Sequence, residues 1–264
     1  MFVRKWPVAH LLLSLALVFG VAGSAAAGSD HGPKPTVVLV HGAFADASGW
    51  NDVIHRLQRK GYPVLAPANP LRGVDSDSAY LRSVLATVTG PIVLVGHSYG
   101  GFVLTNAATG NPNVKALVYV AAFAPDAGDT VGGLSMQFPG SRLGPDALDF
   151  RPYPGGTDSY IKLSLFREVF AADVTPPTAA VMARSQRPAE LNTLGQPSGV
   201  PAWKSIPSWT LVARDDLVIP AAAQRFMAQR AGAHTAEVKA SHVAMISRPG
   251  PTTDLIVDAA EQTS

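Results

Sequence analysis

The sequence predicts an α/β protein in which a mostly parallel sheet, flanked by helices on both faces, is interrupted by a small inserted helical cap. Three observations predict it. From Thr36 onward, apolar runs of strand length alternate with stretches of helical periodicity. Those runs are unbroken rather than alternating, as strands covered on both faces require. One Pro- and Gly-rich stretch, 126–206, breaks the alternation, which then resumes. The 264 residues, 47% of them hydrophobic, suffice for one sizeable core and are too few for two ordinary domains.

The N-terminus has three zones: Arg4 and Lys5, an apolar stretch over 11–22, and the small residues Ala25, Ala26 and Ala27. That order is the order of a secretory signal peptide, so residues 1–27 are expected to be cleaved after Ala27. The apolar stretch is shorter than the ~20 residues that span a bilayer. The mature chain is therefore expected to be exported, to the periplasm or the medium, and free of the membrane. No Cys occurs, which removes disulfides and leaves stability to the core. Lys and Arg number 21 against 19 Asp and Glu, and Arg4 and Lys5 lie within the leader. The rest of the chain is electrically balanced and offers no field for nucleic acid or an anionic surface.

Residues 28–35 read as a polar linker. The run Thr36–Val40 ends in His41-Gly42, a buried strand meeting a turn. Helical spacing over 52–60 puts Val53 and Leu57 inward and stops at Gly61. A short strand follows at 64–66, then a helix over 78–88 with Leu81, Val84, Leu85 and Val88 on one side. Residues 91–95 are the second unbroken apolar strand, leading through a Gly-rich turn into a helix that runs to about Ala108. A third buried strand covers 115–121. Within the interrupting stretch two helices are expected, 159–171 and one beginning at Thr175, which precedes Pro176 and Pro177 as an N-cap does. Strand Ser208–Ala213, helix Ala221–Arg230, strand 235–239 and helix 252–260 complete the alternation. Ligands of such sheets bind beyond the C-terminal ends of the strands.

Gly96-His97-Ser98-Tyr99-Gly100 fits G-x-S-x-G, between an apolar strand and a helix. That turn is so tight that a Cβ two residues before or after the serine would clash across it. Ser98 then projects at a helix N-terminus, where developing negative charge is favoured. A serine hydroxyl is a poor nucleophile at neutral pH and needs an adjacent base. In the strand–turn–helix setting the order along the chain is Ser, acid, His. Of the seven histidines, His10 and His31 lie in leader and linker and His55 on a surface helix. His41 and His97 sit beside turns as hydrogen-bonded structural groups, and His234 starts a strand at the far end of the sheet. His242, in the loop after the last strand, is the expected base. Asp215 and Asp216 both satisfy the order for the acid; Asp216, four residues before Pro220, is preferred. The oxyanion needs two preorganised donors, expected from the amides of Tyr99 and Ala43, with Gly42 allowing the backbone to approach.

His41-Gly42-Ala43 with Gly49-Trp50, Gly96 to Gly101, Ala121 to Asp126, Asp216 with Ile219-Pro220, and Ser241-His242-Val243-Ala244-Met245 occur in this order over nearly the whole mature length. Together they resemble the α/β-hydrolase fold, in the branch of plant methyl-ester esterases such as methyl salicylate esterase and of hydroxynitrile lyases. The resemblance implies a triad of Ser98, Asp216 and His242, favours Asp216 over Asp215, and implies an oxyanion hole from Ala43 and Tyr99. The lyases of this branch carry Lys where Val243 stands, Thr at Gly42 and Cys at Tyr99. Hydrolysis, not cyanohydrin cleavage, is what the resemblance implies here. Ser98 sets the chain apart from epoxide hydrolases and dehalogenases, which use aspartate. The export signal is foreign to the plant enzymes, so their hormone substrates are not carried over.

Phe44, Phe123, Phe138, Tyr153 and Trp203 are candidate pocket walls, and their apolar character predicts a small uncharged carboxylic ester as substrate. The expected activity is a serine carboxylesterase acting through an acyl-enzyme, with no metal or cofactor, since no metal cluster, phosphate loop or dinucleotide fingerprint occurs. The alternatives are the same scaffold performing C–C lysis, lactone opening or perhydrolysis, and a binding protein without turnover. The set Ser98, Asp216 and His242 argues against a pure receptor.

Overall fold

A computed structural model of the chain describes residues 1–2 and 33–263. Apart from residues 1 and 2, the expected leader lies outside the described residues, as do 28–32 of the linker.

Strand β1 (Thr36–Val40) opens the central sheet; a 3-10 turn then leads into α1 (Asn51–Arg59). Next come β2 (Val64–Leu65), α2 (Val74–Leu85), β3 (Ile92–His97), α3 (Tyr99–Ala107) and β4 (Val114–Val120). The interrupting segment holds α4 (Val131–Gln137), β5 (Leu148–Tyr153), β6 (Gly156–Ile161), α5 (Leu163–Phe170), α6 (Pro176–Ser185) and β7 (Ala189–Glu190). The chain then closes with β8 (Ser208–Ala213), α7 (Ala221–Arg230), β9 (His234–Val238), α8 (Ala244–Ser247) and α9 (Pro249–Gln262).

The six-stranded sheet runs β2-β1-β3-β4-β8-β9, and every neighbouring pair is parallel. Its inner strands are unbroken apolar runs because helices cover both faces: α1 packs on α9, α2 on α3, and both α3 and α9 rest on β3 and β4. Val37, Val38, Leu39 and Ile92 to Val95 are fully buried, each burial contributing about 1.5–3 kcal/mol of hydrophobic stabilisation.

The interrupting segment is not the helical cap that the sequence predicts. It carries a three-stranded antiparallel sheet, β5-β6-β7, besides its helices. The helix expected over 159–171 is divided: residues up to Ile161 belong to β6, and only Leu163–Phe170 is helical. The cause is a hairpin. Tyr153 pairs with Gly156 across Pro154-Gly155, with Gly155 at φ 102, and burial then alternates at Ser159 and Ile161 with the period of a strand. The second helix starts where expected, with the Thr175 hydroxyl accepting from the Thr178 amide.

The segment leaves and returns through a paired neck. The Gly128 amide donates to the Ser198 carbonyl (2.8 Å), and the Ser198 amide to the Asp129 carbonyl (2.7 Å). The Trp203 indole donates to the Pro125 carbonyl (2.7 Å), and Lys204 pairs with Asp126 at 2.7 Å.

Candidate active site

Strand β3 delivers Ser98 in a strained conformation, φ 54 and ψ −124, at the N-cap of α3. Such backbone costs on the order of 1–3 kcal/mol and persists only where its surroundings over-determine it. Here they do. The Ser98 carbonyl accepts the amides of Gly101 (3.0 Å) and Phe123 (3.2 Å). A Cβ on Gly96 would stand 2.7 Å from the Gly100 carbonyl carbon, and one on Gly100 would stand 2.4 Å from the Val40 carbonyl oxygen. The loop after β1 presses equally closely: a Cβ on Gly42 would lie 2.7 Å from the Ser98 Cβ and 3.1 Å from the Tyr99 nitrogen.

That approach brings the two expected oxyanion donors to the elbow. Ala43 forms no hydrogen bond among the described residues, whereas the next amide, Phe44, is taken by the Arg187 carbonyl at 2.9 Å. The Tyr99 amide is the first of α3 and has no intrahelical acceptor. The Tyr99 hydroxyl is anchored below by Asp77 Oδ2 at 2.9 Å. Burial pushes the Asp77 carboxyl above its ordinary value, against the donors that surround it.

The loops after β8 and β9 bring Asp216 and His242 together. His242 Nδ1 donates to Asp216 Oδ2 at 2.7 Å, and both side chains are fully buried. Asp215, by contrast, is exposed, and only its amide is engaged, by the Ala240 carbonyl. With Nδ1 as the donor, Nε2 of the neutral imidazole is the basic nitrogen. Nε2 is buried and carries no hydrogen bond among the described residues, from Ser98 or any other group.

Asp216 is held from every side. Oδ1 accepts the amides of Val218 (2.7 Å) and Ile219 (3.0 Å), and Oδ2 accepts Gln224 Nε2 at 2.8 Å. Gln224 is buried and was not singled out from the sequence, where a glutamine on a helix reads as surface. His97 lies beneath His242, with its Nε2 donating to the His242 carbonyl (2.9 Å) and ring centroids 4.7 Å apart. Burial, then the neighbouring His242, hold the His97 imidazole well below its ordinary pKa. His41 donates through Nδ1 to the Gly42 carbonyl and accepts the Asn69 amide at Nε2, both at 2.9 Å. Its pKa is also lowered by burial. His234 stands at the start of β9, stacked on Trp209.

A further contributor is α5. Its Phe170 is fully buried and sets its ring edge-on to His242, centroids 5.0 Å apart, with Phe44 and Phe166 packed around it. The Ser241 hydroxyl, one residue before the histidine, donates to Asp173 in the turn after α5.

Above Ser98 opens a cavity of about 590 Å³. Ala43, Phe44, Ser98, Tyr99 and Phe123 line it from the sheet, and Phe138, Leu143 and Leu148 from the inserted segment. Phe44, Leu71 and Ser98, all at left-handed φ, share its wall. Two expected wall residues are elsewhere. Tyr153, at the end of β5, lies under the Arg72 guanidinium, 5.1 Å from its ring centre, and Trp203 is spent on the neck. Among the described residues no group of three or more His, Cys, Asp or Glu could hold a metal ion.

Residues 37–255 match the Alpha/beta hydrolase family. Pyrethroid hydrolase of Sphingobium wenxiniae is 30% identical over 247 residues, 85% of this chain and 87% of the relative. Methylesterase 1 of Arabidopsis thaliana is 26% identical over 227 residues, 75% of this chain and 85% of the relative. The crystal structure of a pyrethroid hydrolase from Sphingobium faniae superposes with a TM-score of 0.71 at 24% identity, covering 86% of this chain and 97% of that one. With a match of that length carried on this sheet order, the chain belongs to the alpha/beta hydrolase family.

Proposed function

We propose that the chain is a serine carboxylesterase that cleaves small, mainly apolar carboxylic esters through a covalent acyl-enzyme. The observation that carries this reading is the buried Asp216–His242 pair, 2.7 Å apart, on a ring packed against the residue that precedes the strained Ser98. Relatives named pyrethroid hydrolase and methylesterase support ester cleavage as the reaction.

In this reading Ser98 Oγ attacks the ester carbonyl and passes its proton to His242 Nε2. The Ser98–His242 hydrogen bond forms once the ester is in place, since such bonds are often long in empty sites. Asp216 holds the Nδ1 proton and stabilises the imidazolium. The amides of Ala43 and Tyr99 receive the oxyanion, a contribution worth about 2.7–4 kcal/mol per donor in comparable sites. His242 then protonates the departing alkoxide, and water, activated by the same imidazole, releases the acid and restores Ser98. The composition of residues 1–27 supports export. Fractionation of expressing cells should find a chain beginning at Gly28 outside the cytoplasm.

The test is hydrolysis of p-nitrophenyl butyrate by residues 28–264, beside Ser98→Ala. The unsubstituted chain should show a burst and steady turnover, and Ser98→Ala should lose at least about 10³-fold in kcat. Equal rates from two folded proteins would overturn the reading.

A further inference from the structure

A second cavity, of about 410 Å³, adjoins the loop that follows β1. Helix α6 lines it with Val181 and Met182, and the start of α8 with Val243 and Met245. Val181 is 68% exposed, so the space opens to solvent. Its two charged wall residues, Asp46 and Asp52, are half-buried and exposed respectively. Phe44 is the one described residue that lines both this cavity and the one above Ser98. Its amide donates to the Arg187 carbonyl at 2.9 Å, between Gln186, which lines the second cavity, and Ala189, which lines the first. The ring is buried and edge-on to Phe170, centroids 6.4 Å apart, on a backbone at φ 60. A bulky residue seldom takes that conformation unless its surroundings over-determine it.

Which end of an ester meets this ring follows from the proton it needs. The departing alkoxide takes its proton from His242, so the alcohol side of the ester faces the groups around that imidazole. Phe170 is edge-on to His242, Phe44 is edge-on to Phe170, and Val243 of the second cavity follows His242 in the chain. We propose that Phe44 is a specificity-determining partition: its ring stops the alcohol part of the ester at the boundary between the two cavities. The second cavity is then an extension of the binding site that a smaller residue at position 44 opens. What the bound ester undergoes rests on the esterase reading.

The probes are ethyl, butyl, hexyl and octyl acetate, with acid release followed by a pH indicator. Each methylene that passes from water to an apolar wall is worth up to about fourfold in kcat/KM. For at least one chain length Phe44→Ala should therefore raise kcat/KM relative to ethyl acetate about tenfold, whatever it does to the rate with ethyl acetate itself. Phe44→Leu, which keeps more of the wall, should raise the same ratio about threefold and serves if the alanine variant does not fold. Val181→Asp, which charges the second cavity, should cancel the gain when added to either variant and leave the ratio of the otherwise unsubstituted chain unchanged. Affinities of 1-butanol, 1-hexanol and 1-octanol for Ser98→Ala, with Phe44 present or replaced, give the same comparison by calorimetry without turnover. An inactive enzyme whose alcohol affinities still shift in that way sinks the esterase reading alone. Ratios and affinities unmoved by both Phe44 variants, or a gain that Val181→Asp leaves intact, overturn the partition.

Discussion

The Gln224 side chain makes three hydrogen bonds, of which one holds the Asp216 carboxylate and two hold the glutamine in place. Its Oε1 accepts the Ala213 amide at 3.0 Å, which settles the orientation of the side-chain amide, and its Nε2 bridges Asp216 Oδ2 (2.8 Å) and the Ile219 carbonyl (2.7 Å). Asp216 is left a single geometry in which to meet His242. Gln224→Leu should therefore lower kcat about 10–100-fold with little change in KM, the signature of a misaligned reacting group. Gln224→Glu should fall further, because two carboxylates would face each other. An unchanged kcat in the folded Leu variant would show that the backbone amides of Val218 and Ile219 hold Asp216 unaided. Steady-state kinetics on p-nitrophenyl butyrate decides it. The choice between Asp215 and Asp216 was open to spacing because the two are neighbours in the chain. What separates them is the turn, which points Asp216 at two amides and an imidazole and leaves Asp215 in water. Gln224 gave no signal at all, since its burial arises from contacts eight and eleven residues away.

Among the elements, those of the central sheet were legible because they obey one rule: continuous apolar strands, each followed by an amphipathic helix. The strands of the inserted segment obey no such rule. Residues Leu148 to Tyr153 are half-buried or exposed, with no apolar periodicity to show a strand, and their pairing is dictated by a turn and by β6. The same blurring hid α5, whose first turn was read four residues early and whose role at His242 only the packing reveals. Phe170→Ala should cost about 3–5 kcal/mol, read as a lower urea midpoint, since it empties a fully buried aromatic site. It should also lower kcat by admitting water to the imidazole, whereas Leu163→Ala, at an exposed position of the same helix, should do neither.

For the molecule as a whole, the buried neutral imidazoles of His41 and His97 tie folding to pH. Both have pKa values lowered from 6.5 by burial. Between those lowered values and 6.5 the unfolded chain binds protons that the folded chain refuses, so stability rises with pH there and is complete above 6.5. Each histidine contributes a slope of up to about 1.4 kcal/mol per pH unit. Asp77, with its pKa raised from 3.8 by burial, acts in the opposite sense over a window that opens at 3.8, one group against the two histidines. The urea midpoint should accordingly drop from pH 7.5 to pH 5.5; a midpoint that held or rose would refute the linkage. The neck at Gly128, Asp129 and Ser198 has another outcome, written in lineage rather than in energy. Because the two ends of the inserted segment are fastened to each other, what lies between can be lengthened, shortened or replaced at a closure cost of about 0.6 kcal/mol per doubling. Ser98, Asp216 and His242 all stand outside that neck. Apart from α5 and Asp173, which brace His242 and Ser241, the segment is thus free to vary, and descendants of this chain can acquire new diets by changing it while inheriting Ser98, Asp216 and His242.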